Sequence, residues 1–193
     1  VLTGDVNPSG KLPFTWPASL KDVGAHALDA FPGTWREGKK IIDEEYREGI
    51  FVGYRWADRQ KTRPTFAFGH GLSYTAFEMS NLRQSARETR DGRLTFTVSV
   101  RNSGPREGAE VVQLYVSDLK ASVERPVKEL KAFSKVTLRP GESRDVELTI
   151  DRRALSFWDE AANDWKAEPG EFQVLVGNAS DNTPLKAKFR LVE

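Results

Sequence analysis

Leu94-Thr95-Phe96-Thr97-Val98-Ser99-Val100 carries an apolar residue at every second position and a hydroxyl between each pair. Successive side chains of an extended chain point to opposite faces, so the stretch predicts a strand with one face in a core and the other in water. Asn102-Ser103-Gly104-Pro105 ends it with turn formers. The same grammar repeats outward. Val111–Val116 is a second, more apolar run, and Leu130–Leu138 a third, closed by Arg139-Pro140-Gly141-Glu142. Val146, Leu148 and Ile150 alternate in a fourth run, and Phe172, Val174 and Val176 in a fifth that follows Glu168-Pro169-Gly170-Glu171. Ala187, Phe189 and Leu191 form a sixth.

Short strands with turn punctuation and no amphipathic helix predict a mainly β fold over residues 76–193: a two-sheet antiparallel β-sandwich of immunoglobulin-like architecture. The Cys–Trp–Cys signature of true immunoglobulin domains is absent, so only the architecture is implied. Phe96, Phe133, Phe172 and Phe189 alternate along these strands as core residues do.

Bulk properties exclude several function classes. Lys and Arg number 29 against 28 for Asp and Glu, a net charge of +1, with the signs interspersed. That balance points away from nucleic acid and from an anionic membrane. No apolar run approaches the roughly 20 residues needed to span a bilayer. With no cysteine there is no disulfide framework, thiolate zinc site or thiol nucleophile, although the compartment stays open. Val1-Leu2-Thr3 runs straight into turn chemistry, as though cut in mid-fold. A fragment, or one piece of a nicked enzyme, is expected.

Two zones precede the sandwich. In residues 1–17, Asn7-Pro8-Ser9-Gly10 is a turn signal, and Lys11 to Trp16 reads as a short strand that Pro13 and Pro17 confine to an edge or an irregular extended path. Seventeen residues bury no core, so this zone needs a partner. Residues 18–75 lack sustained periodicity: Gly24, Pro32-Gly33 and Gly38 break the first half. Ile41 to Trp56 then reads as extended, with Ile50, Val52 and Tyr54 alternating against Phe51, Gly53 and Arg55. A connector of this length is expected to lie against a neighbouring surface.

Five blocks, in order, resemble glycoside hydrolase family 3. Gly4-Asp5-Val6-Asn7-Pro8-Ser9-Gly10-Lys11-Leu12-Pro13 resembles the segment closing the family's α/β sandwich domain. Tyr46-Arg47-Glu48-Gly49-Ile50-Phe51-Val52-Gly53-Tyr54-Arg55-Trp56 looks like the strand that follows it, and Phe66-Ala67-Phe68-Gly69-His70-Gly71-Leu72-Ser73-Tyr74-Thr75 like the entry to the third domain. Ser122-Val123-Glu124-Arg125-Pro126-Val127-Lys128-Glu129-Leu130-Lys131-Ala132-Phe133 resembles the most recognisable stretch of the family's fibronectin type III-like domain. The likeness continues through Leu138–Glu142 and Ala167–Gly170; Ala132 departs from it, where the family usually has Gly.

The resemblance implies the C-terminal end of an α/β sandwich domain (1–17), a connector packing on the catalytic domains (18–75), and a fibronectin type III-like β-sandwich (76–193). It implies a retaining, exo-acting β-glycosidase, most simply a β-glucosidase, without cofactor or metal and acting in the periplasm or outside the cell. Such an enzyme uses two carboxyl groups about 5 Å apart. In the family these are an Asp of an N-terminal barrel and a Glu of the α/β domain, both upstream. No catalytic residue then falls in this chain, and it is expected to hydrolyse nothing alone. Its partners are the barrel and α/β domains of the same enzyme and a β-glucoside or oligosaccharide substrate. Arg125 has the fork geometry to grip a carboxylate at the domain junction.

The chain's own carboxylates make no alternative pair. Asp43-Glu44-Glu45 with Glu48 reads as a solvated charge patch, and Asp159-Glu160 with Asp164 flanks a hairpin turn. His26 and His70 lack metal-ligand spacing. His70, in the domain-entry loop, is a candidate for lining the outer sugar pocket; the alternative is a junction histidine bonded to backbone. Trp35, Trp56 and Tyr46 are candidates for the active-site rim, because aromatic faces suit the apolar face of a pyranose. Trp158 and Trp165 are expected to cap the sandwich core. A free-standing carbohydrate-binding module and an adhesion or scaffold domain are the competing functions. The first needs a row of exposed aromatics on one sheet face; the second has no use for residues 1–75.

Overall fold

A computed structural model describes Val1–Glu193. Residues 1–75 hold little regular structure. They contain a 3-10 turn at Leu20–Asp22, α1 (Gly24–Ala27), the two-residue strands β1 (Thr34–Trp35) and β2 (Ile42–Asp43), and α2 (Tyr54–Gln60). Then come β3 (Phe77–Gln84), β4 (Glu88–Thr89), β5 (Leu94–Asn102), β6 (Gly108–Asp118), β7 (Glu129–Leu138) and β8 (Ser143–Ile150). After α3 (Arg152–Leu155) follow β9 (Phe157–Asp159), β10 (Asp164–Lys166), β11 (Gly170–Gly177) and β12 (Leu185–Leu191).

The strands build the predicted sandwich: a five-stranded sheet in the order β4-β12-β11-β6-β7 faces a three-stranded sheet, β3-β5-β8. Leu94, Phe96, Val98 and Val100 of β5 are all buried while the residues between them stay near water, as their alternation demands. They join an eighteen-residue core supplied by β5, β6, β7, β8, α3, β11 and β12. Phe172 and Phe189 stack with ring centroids 5.5 Å apart, and Phe96 lies 5.9 Å from Phe189. Each such side chain, fully buried, contributes about 1.5–3 kcal/mol. The whole core lies between Leu94 and Leu191, so none of it depends on residues 1–75.

Four sequence expectations are corrected. Phe133 is not a core residue: it is 69% exposed. Val136 and Leu138 of the same strand point inward, so the odd-numbered Phe133 must point outward. Phe133→Ala is accordingly expected to change stability by no more than about 0.5 kcal/mol in urea denaturation, against about 3–5 for a core phenylalanine.

Ile41 to Trp56 is not a strand. Only Ile42–Asp43 pairs, with β1. Positive φ at Gly49 (56°) and Gly53 (63°) breaks the extended path, and α2 begins at Tyr54. Lys11 to Trp16 likewise makes only an isolated bridge, Trp16 to Phe66. Lastly, Trp158 and Trp165 do not cap the core. They face each other across the β9–β10 hairpin, and Leu155 of α3 closes the core instead.

Candidate interdomain interface

Strand β6 shows where residues 1–75 lie. Val112, Leu114 and Val116 enter the core, yet Gln113 and Tyr115, on the opposite face, are buried too. The preceding segment covers them. Tyr54 of α2 stands edge-on to Tyr115 at 5.8 Å and against Phe68 at 5.2 Å, and its Oη accepts the Leu130 N–H at 2.9 Å. Burial pushes the Tyr115 phenol well above its ordinary pKa, so it stays neutral and donates to Gln113 Oε1 at 2.5 Å.

Charged groups close the perimeter. Lys128 Nζ meets Asp58 at 2.5 Å, and Lys11 meets Glu110 at 2.6 Å. Burial raises the Asp58 carboxyl, and Lys128 only partly offsets this. The Phe68 carbonyl accepts the Ser180 N–H at 2.8 Å, and Lys135 reaches Ser9 at 2.8 Å. Asn7 locks the entry: its Oδ1 accepts from Tyr74 N–H and Ser73 Oγ, while its Nδ2 donates to the Glu107 carbonyl. The connector therefore packs first on its own sandwich, and only its far side is left for a neighbour.

Residues 1–75 carry most of the chain's exposed apolar side chains. Of twenty-two exposed large hydrophobic residues, sixteen fall in residues 1–75. Residues 12–16 and 65–70 run together through the hydrogen bonds Leu12 N–H to His70 O, Gly69 N–H to Leu12 O and Trp16 N–H to Phe66 O, each 2.8 Å. On this ribbon Phe14 neighbours Trp16 at 5.6 Å, and Phe66 neighbours His70 at 5.0 Å. Contiguous exposed aromatics of this kind mark an interaction surface.

The Arg125 guanidinium is buried, but inside the sandwich rather than at a domain junction, and it spans two carboxylates instead of forking onto one. It binds Glu129 at 2.8 Å and Asp118 at 3.4 Å, and donates to the carbonyls of Leu155 (2.9 Å) and Ser156 (3.3 Å). Burial pushes the Glu129 carboxyl up, but Lys131, Arg125 and Arg55 together hold it below the ordinary glutamate range. Lys131 is itself shifted down, because burial outweighs the pull of Glu129.

Two family profiles match the chain. Residues 1–74 match the Glycosyl hydrolase family 3 C-terminal domain, and residues 110–180 the fibronectin type III-like domain. The chain belongs to glycosyl hydrolase family 3. Over its whole length it is 43% identical to β-glucosidase BoGH3A of Bacteroides ovatus, and over 99% of it 45% identical to thermostable β-glucosidase B of Acetivibrio thermocellus. It covers 25% and 24% of those two proteins. Among solved structures it resembles the family 3 β-glucosidase of Bifidobacterium adolescentis (TM-score 0.89, 37% identity, covering 99% of this chain and 27% of that one). It also resembles β-glucosidase 3B of Thermotoga neapolitana in complex with α-D-glucose (TM-score 0.88, 41% identity, covering 100% and 26%). The chain thus spans about a quarter of the length of its relatives and corresponds to their C-terminal part.

Within this family 3 segment the four candidate rim residues do not form one group. Trp35 (66% exposed) and Tyr46 (82% exposed) sit on the projecting stretch around β1 and β2. His70 lies on the aromatic ribbon against Phe66, half-buried. Trp56 is only 6% exposed, its ring pressed against Gly24, where an added Cβ would come within 3.1 Å of the indole. It has no free face for a sugar and is withdrawn from the rim. The acidic cluster is a charge patch only in part: Asp43 pairs with Arg36 and Glu45 with Arg47, whereas Glu48 packs beside Gly24 with one carboxylate oxygen buried and without a hydrogen-bond partner.

Sequence reasoning passed over the contacts that seat the connector, namely Tyr54, Asp58, Gln113 and Tyr115. The one available signal was β6 itself, whose run from Val111 to Val116 is apolar or uncharged at every position, as in a strand covered on both faces.

Proposed function

We propose that this chain is the non-catalytic C-terminal portion of a retaining, exo-acting β-glucosidase that removes terminal non-reducing β-D-glucosyl residues. Its task is to brace the catalytic domains. The observation that carries this is the double character of residues 1–75: they are seated on the sandwich through Tyr54, Phe68 and Asp58, yet they also hold most of the chain's exposed hydrophobic residues. A surface of that kind is costly to leave in water and fits a barrel and an α/β domain of the same enzyme. Trp35, Tyr46 and His70 lie on this stretch and are the candidates for bordering the substrate, because aromatic faces suit the apolar face of a pyranose. The nucleophile and acid/base belong to those other domains, and the enzyme acts in the periplasm or outside the cell.

A free-standing carbohydrate module is less well supported. The connector covers Gln113 and Tyr115 on the outer face of β6, the outward positions of β12 are Lys186, Lys188 and Arg190, and those of β5 are Thr95, Thr97, Ser99 and Arg101, so neither sheet presents a row of aromatics.

Co-expression with the barrel and α/β domains is the test. The assembled protein should hydrolyse an aryl β-glucoside, this chain alone should not, and the barrel with the α/β domain but without this chain should be insoluble or nearly inactive. Hydrolysis by this chain alone, or full activity without it, overturns the proposal.

A further inference from the structure

Beside Arg125, the β9–β10 hairpin borders an open cleft of about 930 Å³, lined chiefly by the sandwich and, from the connector, by Ile50 and Arg55. Trp158 and Trp165 form its aromatic wall. They pair across the hairpin with ring centroids 5.6 Å apart at 67°, and stay 45% and 42% exposed. Neither belongs to the core. The Arg153 guanidinium lies 3.3 Å over the Trp165 ring, which fixes that indole and covers one of its faces. Phe157 extends the apolar surface into the cleft floor.

The charged lining says what this wall would hold. Five basic and five acidic side chains surround the cleft, so it carries no net field for an ionic ligand. Arg55, Arg125 and Lys131 already pair with Glu129, and Lys166 with Asp159, so these charges neutralise one another beside the aromatic faces. That combination suits a neutral, polyhydroxylated ring with an apolar C–H face, and so a pyranose. An acidic polysaccharide or a nucleotide would meet as many repelling groups as attracting ones.

We propose that this cleft is a secondary, non-catalytic site for a neutral oligosaccharide of β-linked glucose units, stacked on Trp158 and fixed by the charged rim. The β-linked class rests on the function proposed above; the neutral-glycan character rests on the cleft alone. Such a site would hold a polymer chain beside the enzyme without touching the reacting bond.

Titration of cellohexaose into this chain, followed by tryptophan fluorescence and calorimetry, tests it. Saturable binding is expected. Trp158→Ala should weaken it by about tenfold or more, the loss of one stacking platform, whereas Trp158→Phe should retain most of it. Maltohexaose, with α-linkages, should bind more weakly. No saturable binding, or unchanged affinity in Trp158→Ala, overturns the site. Equal affinity for maltohexaose overturns the β-linked class. Binding by this chain that disappears in the assembled enzyme also overturns the site, by showing that the other domains cover it. Aryl β-glucosidase activity is read separately, and Trp158→Ala should leave it unchanged. Loss of the bracing role with binding intact therefore condemns the function proposed above and not the cleft.

Discussion

Arg125→Ala is expected to destabilise the chain by about 3–5 kcal/mol, the usual cost of leaving buried charges without a partner. The guanidinium is buried and serves four acceptors at once: Glu129, Asp118, and the carbonyls of Leu155 and Ser156. Alanine removes five donors and leaves two carboxylates and two carbonyls short of a partner. Arg125→Lys keeps a charge but loses the planar fork, so it should fall between wild type and alanine. The shift of the urea midpoint at constant slope measures the effect. A loss below about 1 kcal/mol would mean that the carboxylates are solvated and that the network is ornamental.

The same network makes the chain acid-sensitive, and the sign follows from Glu129. Its folded pKa lies below the ordinary 4.5, because Lys131, Arg125 and Arg55 outweigh burial. The stability this supplies is present above the unfolded-state value and is lost as pH falls through the depressed folded value. In Arg125→Ala, burial is opposed by two cations rather than three, so acid unfolding should begin at a higher pH. Urea midpoints collected between neutral and acid pH would show the two curves separating.

How much of this was readable in the sequence depended on whether a single parity ran through each segment. It does in β5, where Leu94 to Val100 fixes strand, face and core together. In β7 the parity set by Val136 and Leu138 excludes Phe133, and the error lay in reading hydrophobicity without counting positions. In β3 the core-facing Phe77 and Met79 are followed by Leu82, out of step because a register shift with Asn81 at positive φ intervenes, so no strand could be read there. The connector was hardest. Ile50 to Arg55 does alternate, but positive φ at Gly53 ends the extension and turns Tyr54–Gln60 into a helix, swinging Trp56 inward and Tyr54 onto the sandwich. What local pattern cannot contain is which of two surfaces a nonperiodic segment meets. The remote junction residues were found by resemblance, and their burial by coordinates.

Gly69→Ala is expected to lift the connector from the sandwich while leaving the sandwich folded. Gly69 has φ 83°, a conformation that costs a residue with a Cβ about 1–2 kcal/mol. An added Cβ would also lie 2.5 Å from the Gln113 side-chain amide. That amide has nowhere to move, because its Nε2 donates to the Asn178 carbonyl at 2.7 Å and its Oε1 accepts from Tyr115 at 2.5 Å. Overpacking of this kind adds about 1–3 kcal/mol, for a total near 3 kcal/mol. The strain should be relieved locally, since the contacts released are Tyr54 on Tyr115, Phe68 on Ser180 and Leu12 on Gly69, none of them in the core. Hydrogen exchange is the discriminating measurement. Amides of residues 12–16 and 65–70 should lose protection while those of β5 and β11 keep it. Gly10→Ala, where an added Cβ meets nothing within 4 Å, is the matched control and should stay within about 0.5 kcal/mol of wild type. Joint loss of protection in connector and sandwich would show that the two fold as one unit. In that case the strap is no mere adaptor between this domain and the rest of a family 3 enzyme but part of what holds the sandwich together.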